Sequence, residues 1–276
     1  MDTHSKNVHE QNKNCYRHEI IHYDRGLFDR CVDMTYIITM DNSKRIIEFM
    51  DQLEEHKPSK TVTIQFNRGF RNCNKNIKKY TPPYDLTDSL RNIFVDAIHN
   101  NYQRILVFED DFLMDKSKYN QKDIDSINDY ILKRNPDIYT LGTLLGFGIP
   151  ISDHHRLFHT YHTHAVIYGT KYMNAFVKDA SHYNIEHCDQ YWNTSKFYKA
   201  GYHKPICYQL FPETENSQHW GPVGSQFKKW MKKWKLDKTH EHYESHHKFF
   251  ISLHWFILFS ILLTIAIIII FIIKHR

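Results

Sequence analysis

Arg104-Ile-Leu-Val-Phe-Glu-Asp-Asp111 is the stretch on which the reading of this chain turns. Its first five residues are apolar after the arginine and short enough for a buried strand, and three carboxylates follow directly. Side chains alternate faces along a strand, so Glu109 and Asp111 are expected on one face and Asp110 on the other. Two carboxylates on one face repel each other unless a cation lies between them. A hard divalent ion with oxygen ligands, Mn²⁺ or Mg²⁺, meets that demand and commonly bridges to diphosphate oxygens. Open α/β sheets also place their ligands at the carboxyl ends of strands. The plainer alternative is a solvated acidic turn that caps a helix.

On either side, strand and helix signals alternate, as in an α/β domain. Met34–Met40 is a β-branched apolar run that stops at Asp41-Asn42-Ser43. Ile46, Ile47, Phe49, Met50 and Leu53 then recur at helical spacing. Lys60–Phe66 reads as a second strand, Asn67–Tyr84 as a long polar loop and Leu86–Asn100 as a helix. Beyond the acidic triplet, Asp123–Lys133 reads as a helix and Ile138–Leu141 as a strand entering a glycine-bearing loop, Gly142–Gly148. Ala165–Tyr168 and Lys171–Lys178 read as a strand and a helix.

The C-terminus carries a second clear signal. In Phe249–Ile273 only Ser252, His254, Ser260 and Thr264 are polar and none is charged. At ~1.5 Å per residue, even Trp255–Ile273 covers a hydrocarbon core of about 30 Å. Met1–Asp33 is polar without an apolar leader-like run, so the span is expected to act as a tail anchor on a single-pass membrane protein. Lys232, Lys233, Lys235, Lys238 and Lys248 precede it and only Lys274 and Arg276 follow, which by charge bias puts the N-terminal part in the cytoplasm. Phe227, Trp230, Met231 and Trp234 share one helical face with lysines opposite. That pattern suits an interfacial helix on anionic lipid, or a solvated helix packed on the main domain.

Composition narrows the classes further. The 276 residues are 41% hydrophobic and 24% charged, so a core can form and disorder is excluded for most of the chain. The net charge of +5 is too mild to mark a nucleic-acid binder. Cys15, Cys31, Cys73, Cys188 and Cys207 form no CxxC and no even framework, so free thiols in a reducing compartment are expected.

Leu90–Asp115, with "NNYQRILVFEDDF" at its centre, resembles the core of glycosyltransferase family 25, which includes lipooligosaccharide and collagen galactosyltransferases. Tyr36–Arg45, "THAVIYGTKYMNAF" (163–176), "HCDQYW" (187–192) and "KPICYQLFPETENSQ" (204–218) resemble further segments of that family in the same order. The resemblance implies a GT-A-like, Rossmann-type α/β domain over 34–225. Around it would lie a polar tail over 1–33, a basic and His-rich juxtamembrane segment over 226–248 and a transmembrane helix over 249–273. It implies sugar transfer from a nucleotide sugar, UDP-linked, with Mn²⁺ or Mg²⁺, to a glycan, protein or lipid acceptor. By the same resemblance Asp111 binds the metal and Glu109 completes the acidic pair. Asp110 and Arg45 lie with them at the donor nucleotide. Asp189 is a candidate general base, since inversion needs a carboxylate to deprotonate the acceptor hydroxyl; it could equally cap a helix beginning near Gln190. His219 and His164 are candidate ligands, although a histidine beside Trp220 is as readily a packing residue. The Ile-, Asn-, Lys- and Tyr-heavy composition suits an AT-rich genome, and large DNA viruses carry similar enzymes, so a host endomembrane or virion membrane is an expected location.

Two rival classes remain. Twenty-one histidines, clustered at 154–164 and 240–247, invite a zinc protein, though neither cluster has cysteine at ligand spacing or a helical HExxH. A membrane-tethered interaction protein with a decayed transferase site is the other.

Overall fold

The computed structural model describes residues 15–275, apart from 144–145, 162–163, 183, 194–196, 210–225, 227–228, 230–231 and 234–240. Its spine is the triplet of parallel strands β2 (Met34–Met40), β3 (Thr61–Asn67) and β4 (Arg104–Glu109). Helix α1 (Ile46–His56) joins β2 to β3, and α2 (Pro82–His99) joins β3 to β4. β2 and β4 are buried on both faces, as the continuous β-branched runs require. Ile37, Leu106 and Phe108 pack with Phe49 and Leu53 of α1 on one side. Tyr36, Ile38, Ile105 and Val107 pack with Leu90, Ile93 and Phe94 of α2 on the other.

The chain leaves β4 through the short β5 (Phe112–Met114) and helix α3 (Gln121–Arg134), which delivers β6 (Ile138–Thr140). Asn120 and Asp123 cap α3 reciprocally, and Asn135 ends it in a left-handed turn. A hairpin of β7 (Gly146–Ile151) and β8 (His154–Thr160) follows. After it come β9 (Ala165–Gly169), α4 (Thr170–Ser181), α5 (Cys188–Asn193), β10 (Lys199–Tyr202) and β11 (Cys207–Gln209). With β1 (Tyr16–His22) at one edge, nine strands form a sheet in the order β1-β3-β2-β4-β9-β6-β10-β8-β7, and β11 pairs with β5 in a small second sheet. β9 inserts antiparallel between β4 and β6. The protein is therefore a mixed α/β fold with helices on both faces of one large sheet.

Several boundaries differ from the expectation. The sheet begins at Tyr16 rather than Met34, because β1 pairs antiparallel with the whole of β3 and the turn behind it buries Phe28, Cys31 and Val32. Polar residues on β1 hid it: most of this edge strand faces solvent. Pro82-Pro83 does not extend the loop but opens α2, where the missing N–H costs nothing. Gly146 and Gly148 lie in β7, not in a loop. A Cβ on Gly148 would stand 2.2 Å from the Arg156 carbonyl oxygen, so close strand approach demands glycine there. Cys15 and Cys73 are joined in a disulfide, Cα atoms 5.5 Å apart, against the expectation of free thiols throughout; Cys31, Cys188 and Cys207 are free and buried. Fifty-eight residues separate the pair, so only the fold could reveal it.

Helix α6 (Glu241–Lys274) is the single helix among the described residues long and apolar enough to cross a membrane, over Glu244–Lys274, with a mean hydropathy of 3.4 in its most apolar 18 residues. Phe249 is 63% exposed, while His247 and His254 of the same helix are buried against the domain. Trp255–Ile273 still supplies ~28 Å of helix. Most of the basic-aromatic stretch 227–235 lies outside the described residues.

Candidate active site

The acidic triplet sits where β2 and β4 lie side by side and the chain departs in opposite directions, from β2 toward β3 and from β4 toward β6. Such reversals open a crevice at the carboxyl ends of the strands. The backbone holds the triplet firmly: the Glu109 N–H donates to His164 O (3.0 Å) and the Asp110 N–H to Ile38 O (3.1 Å).

Asp110 is buried and fully engaged. Its carboxylate accepts from Thr39 Oγ1 (2.7 Å), Ser43 Oγ (2.7 Å), Arg45 Nε (3.1 Å) and Arg45 Nη2. Arg45 stands at the N-cap position of α1, so this pairing fastens the β2–α1 turn to the end of β4. Asp110 acts as the anchor of that turn, and its carboxylate has no capacity left over for a metal ion.

Asp111 has the opposite character. Gln209 Nε2 donates to its Oδ2 (3.1 Å), while its buried Oδ1 has no hydrogen-bond partner among the described residues. Burial, then Glu109, then Asp110 push its carboxyl well above the usual range. A buried carboxylate beside two others is stable only with a proton or a cation. Gln209 reaches it because β11 runs against the Leu141-Gly142 turn, with Ile206 N–H and Cys207 N–H both donating to Leu141 O. A Cβ on Gly142 would come 1.9 Å from Cys207 O, so that approach requires glycine.

Asp189 lies in the first turn of α5 rather than just ahead of it. Burial raises its pKa, opposed by His187, the N–H groups at the helix start and His159. His164 is wholly buried with Nε2 3.4 Å from Cys207 O. His219 lies outside the described residues.

Thr39, Ser43 and Gln209 were not singled out from sequence. All three lie inside stretches quoted above, Tyr36–Arg45 and 204–218, but hydroxyls and amides carry no spacing signal of their own. Among the described residues no group of three or more His, Cys, Asp or Glu side chains is arranged to hold a metal ion. Glu109 and Asp111 nevertheless suit an ion that takes one or two protein carboxylates and completes its shell with water and diphosphate oxygens. Of the histidines that invited the rival zinc reading, His154 bonds Tyr139 Oη (2.8 Å), His155 bonds His254 (2.7 Å), and His247 bonds the carbonyls of Thr143 and His203 (both 3.0 Å).

No family model matches this chain, and no curated protein matches it. Among solved structures it is similar to A197 from STIV, at 10% identity and a TM-score of 0.41, over 66% of this chain and 86% of that one. A likeness at that level carries no argument about fold or function.

Proposed function

We propose that the protein is a metal-dependent glycosyltransferase on a GT-A-like domain, anchored in a membrane by α6. It moves a sugar from a nucleotide donor, UDP-linked, to an acceptor hydroxyl. One observation carries this reading: Asp111, buried just beyond the carboxyl end of β4, holds an oxygen without a hydrogen-bond partner among the described residues, beside Glu109. The parallel β3-β2-β4 core, with a strand–helix turn bearing Arg45 at the same end, supports a nucleotide there.

In this reading Glu109 and Asp111 hold a divalent ion, which when bound offsets the charge of the donor diphosphate. Arg45, fixed by Asp110, adds a cation beside it and shapes the turn over the nucleotide. Asp189, with its raised pKa, takes the acceptor proton. Calorimetric titration of UDP into the full-length chain in detergent tests this. UDP should bind with Mn²⁺ and not without it, and Asp111→Asn should abolish the Mn²⁺-dependent binding. Binding of UDP that ignores both would overturn the assignment.

A further inference from the structure

We propose that the β7–β8 hairpin is a second membrane contact: Phe147 and Phe158 lie in the lipid headgroup layer beside α6 and stop the domain from turning about that helix. The inference rests on α6 crossing a bilayer and needs nothing from the transferase reading.

The helix itself sets the height. Lys248 is the last charged residue before the apolar run and Lys274 the first after it. A hydrocarbon core of ~30 Å takes about 20 helical residues, so counting back from Ile273 puts its edge at His254. The polar layer outside that edge is about 5–7 Å deep, which the helix crosses between His254 and Phe250. β7 touches α6 within that interval. His254 Nε2 lies 2.9 Å from Gly146 O, and the Phe147 ring meets Phe250 edge to face with centroids 5.8 Å apart.

Phe158 stands beside Phe147 on the neighbouring strand. Phe147 pairs with His159 and Gly148 with Leu157, so Phe158 is the extra residue of a β-bulge opposite them. A bulge re-aims a side chain, here outward. Phe147 is 44% and Phe158 51% exposed, and no other phenylalanine outside α6 is exposed among the described residues. Aromatic side chains gather at the membrane–water boundary, where an apolar ring can leave water without entering the hydrocarbon.

The strand also limits how deep the contact goes. β7 is the last strand of the sheet, so one side of its backbone has no strand partner. Such groups are costly in hydrocarbon but stay hydrated among headgroups. A single helix would leave the domain free to rotate about the helix axis. A contact off that axis fixes the face of the domain that looks at the bilayer.

Spin-label depth measurement on the full chain in phosphatidylcholine vesicles tests this. Labels go on Phe158→Cys, on Phe147→Cys and, as an aqueous reference, on Ile47→Cys, which is 74% exposed on α1. Cys31, Cys188 and Cys207 are buried, so the unsubstituted protein should take up no label. Oxygen partitions into lipid and a nickel chelate, present on both sides of the bilayer, into water. The oxygen-to-nickel collision ratio at 158 and 147 should exceed that at 47 at least threefold. A ratio equal to that at 47 would overturn the proposal. So would labels shielded from both reagents, which would mean that protein covers the pair, a second copy if the spectra also show spin–spin broadening. A chain that does not float with the vesicles would instead overturn the anchor reading, and this contact with it.

Discussion

Arg45 and Asp110 form a two-pronged ion pair, with Arg45 Nε 3.1 Å from Asp110 Oδ1 and Nη2 on the same oxygen, that ties the first strand–helix turn to the end of the central strand. Asp110 is 8% exposed, and Thr39 and Ser43 complete its shell. Arg45→Ala leaves a buried carboxylate without its cation and should destabilise the protein by about 3 kcal/mol. Arg45→Lys keeps the charge but loses the fork, and should cost about 1 kcal/mol. Chemical denaturation midpoints of the two variants check the order.

Asp111 is expected to weaken the fold it sits in. Its folded-state pKa is raised, by burial first and then by Glu109 and Asp110. The unfolded carboxyl ionises near the ordinary Asp value of ~3.9, so the native state binds more protons between that pH and its own raised pKa. Stability therefore falls as pH rises through this window, and the penalty persists at neutral pH. Asp111→Asn should be about 1 kcal/mol more stable than wild type at pH 7, with the gain gone near pH 3. Melting curves at both pH values decide it; a variant less stable at pH 7 would contradict the account.

Two buried histidines of β8, His154 against α3 and His155 against α6, give a dependence of opposite sign. Burial lowers His154 to about 4, and burial with the neighbouring His254, His203, His247 and His154 lowers His155 to about 3. Both are neutral in the folded protein, whereas the unfolded chain protonates them near 6.5. Stability from these groups is thus intact above that pH and lost as pH falls toward 4. Melting between pH 7 and pH 5 should show a drop that His155→Asn reduces.

The Cys15–Cys73 disulfide closes a loop of 58 residues and pins β1 to the segment carrying the buried Lys75. Chain-entropy arguments give a bond of that span about 4 kcal/mol, so Cys73→Ser should lower the melting temperature markedly. Such bonds persist on the oxidising side of a membrane, opposite to the side favoured by the lysines at 232–248. Protease protection of the N-terminal domain in sealed vesicles should place it in the lumen.

The parallel core and the acidic triplet were legible because their physics is local: β-branched runs alternate with amphipathic helices, and carboxylates at a strand's end are visible in one line of sequence. β1 escaped because it is an edge strand whose outward residues are mostly polar, and β7 because two glycines and a proline interrupt it, so their patterns look like loop. Gln209 and Asp111 are brought together by a strand pairing across ninety-eight residues, which no local pattern encodes. The same is true of His155 and His254, and of the two disulfide cysteines. The helix read as an anchor from Phe249 also packs on the domain through His247 and His254, although Phe249 itself is exposed. Tertiary burial of two histidines decides that, not hydropathy.

The most direct test is a donor-hydrolysis screen on the full-length chain in detergent, with a panel of nucleotide sugars, with and without Mn²⁺. The account predicts slow release of nucleotide from one UDP-sugar that requires Mn²⁺ and falls at least a hundredfold in Asp111→Asn. Hydrolysis unchanged by that substitution, or none from any donor, would contradict it.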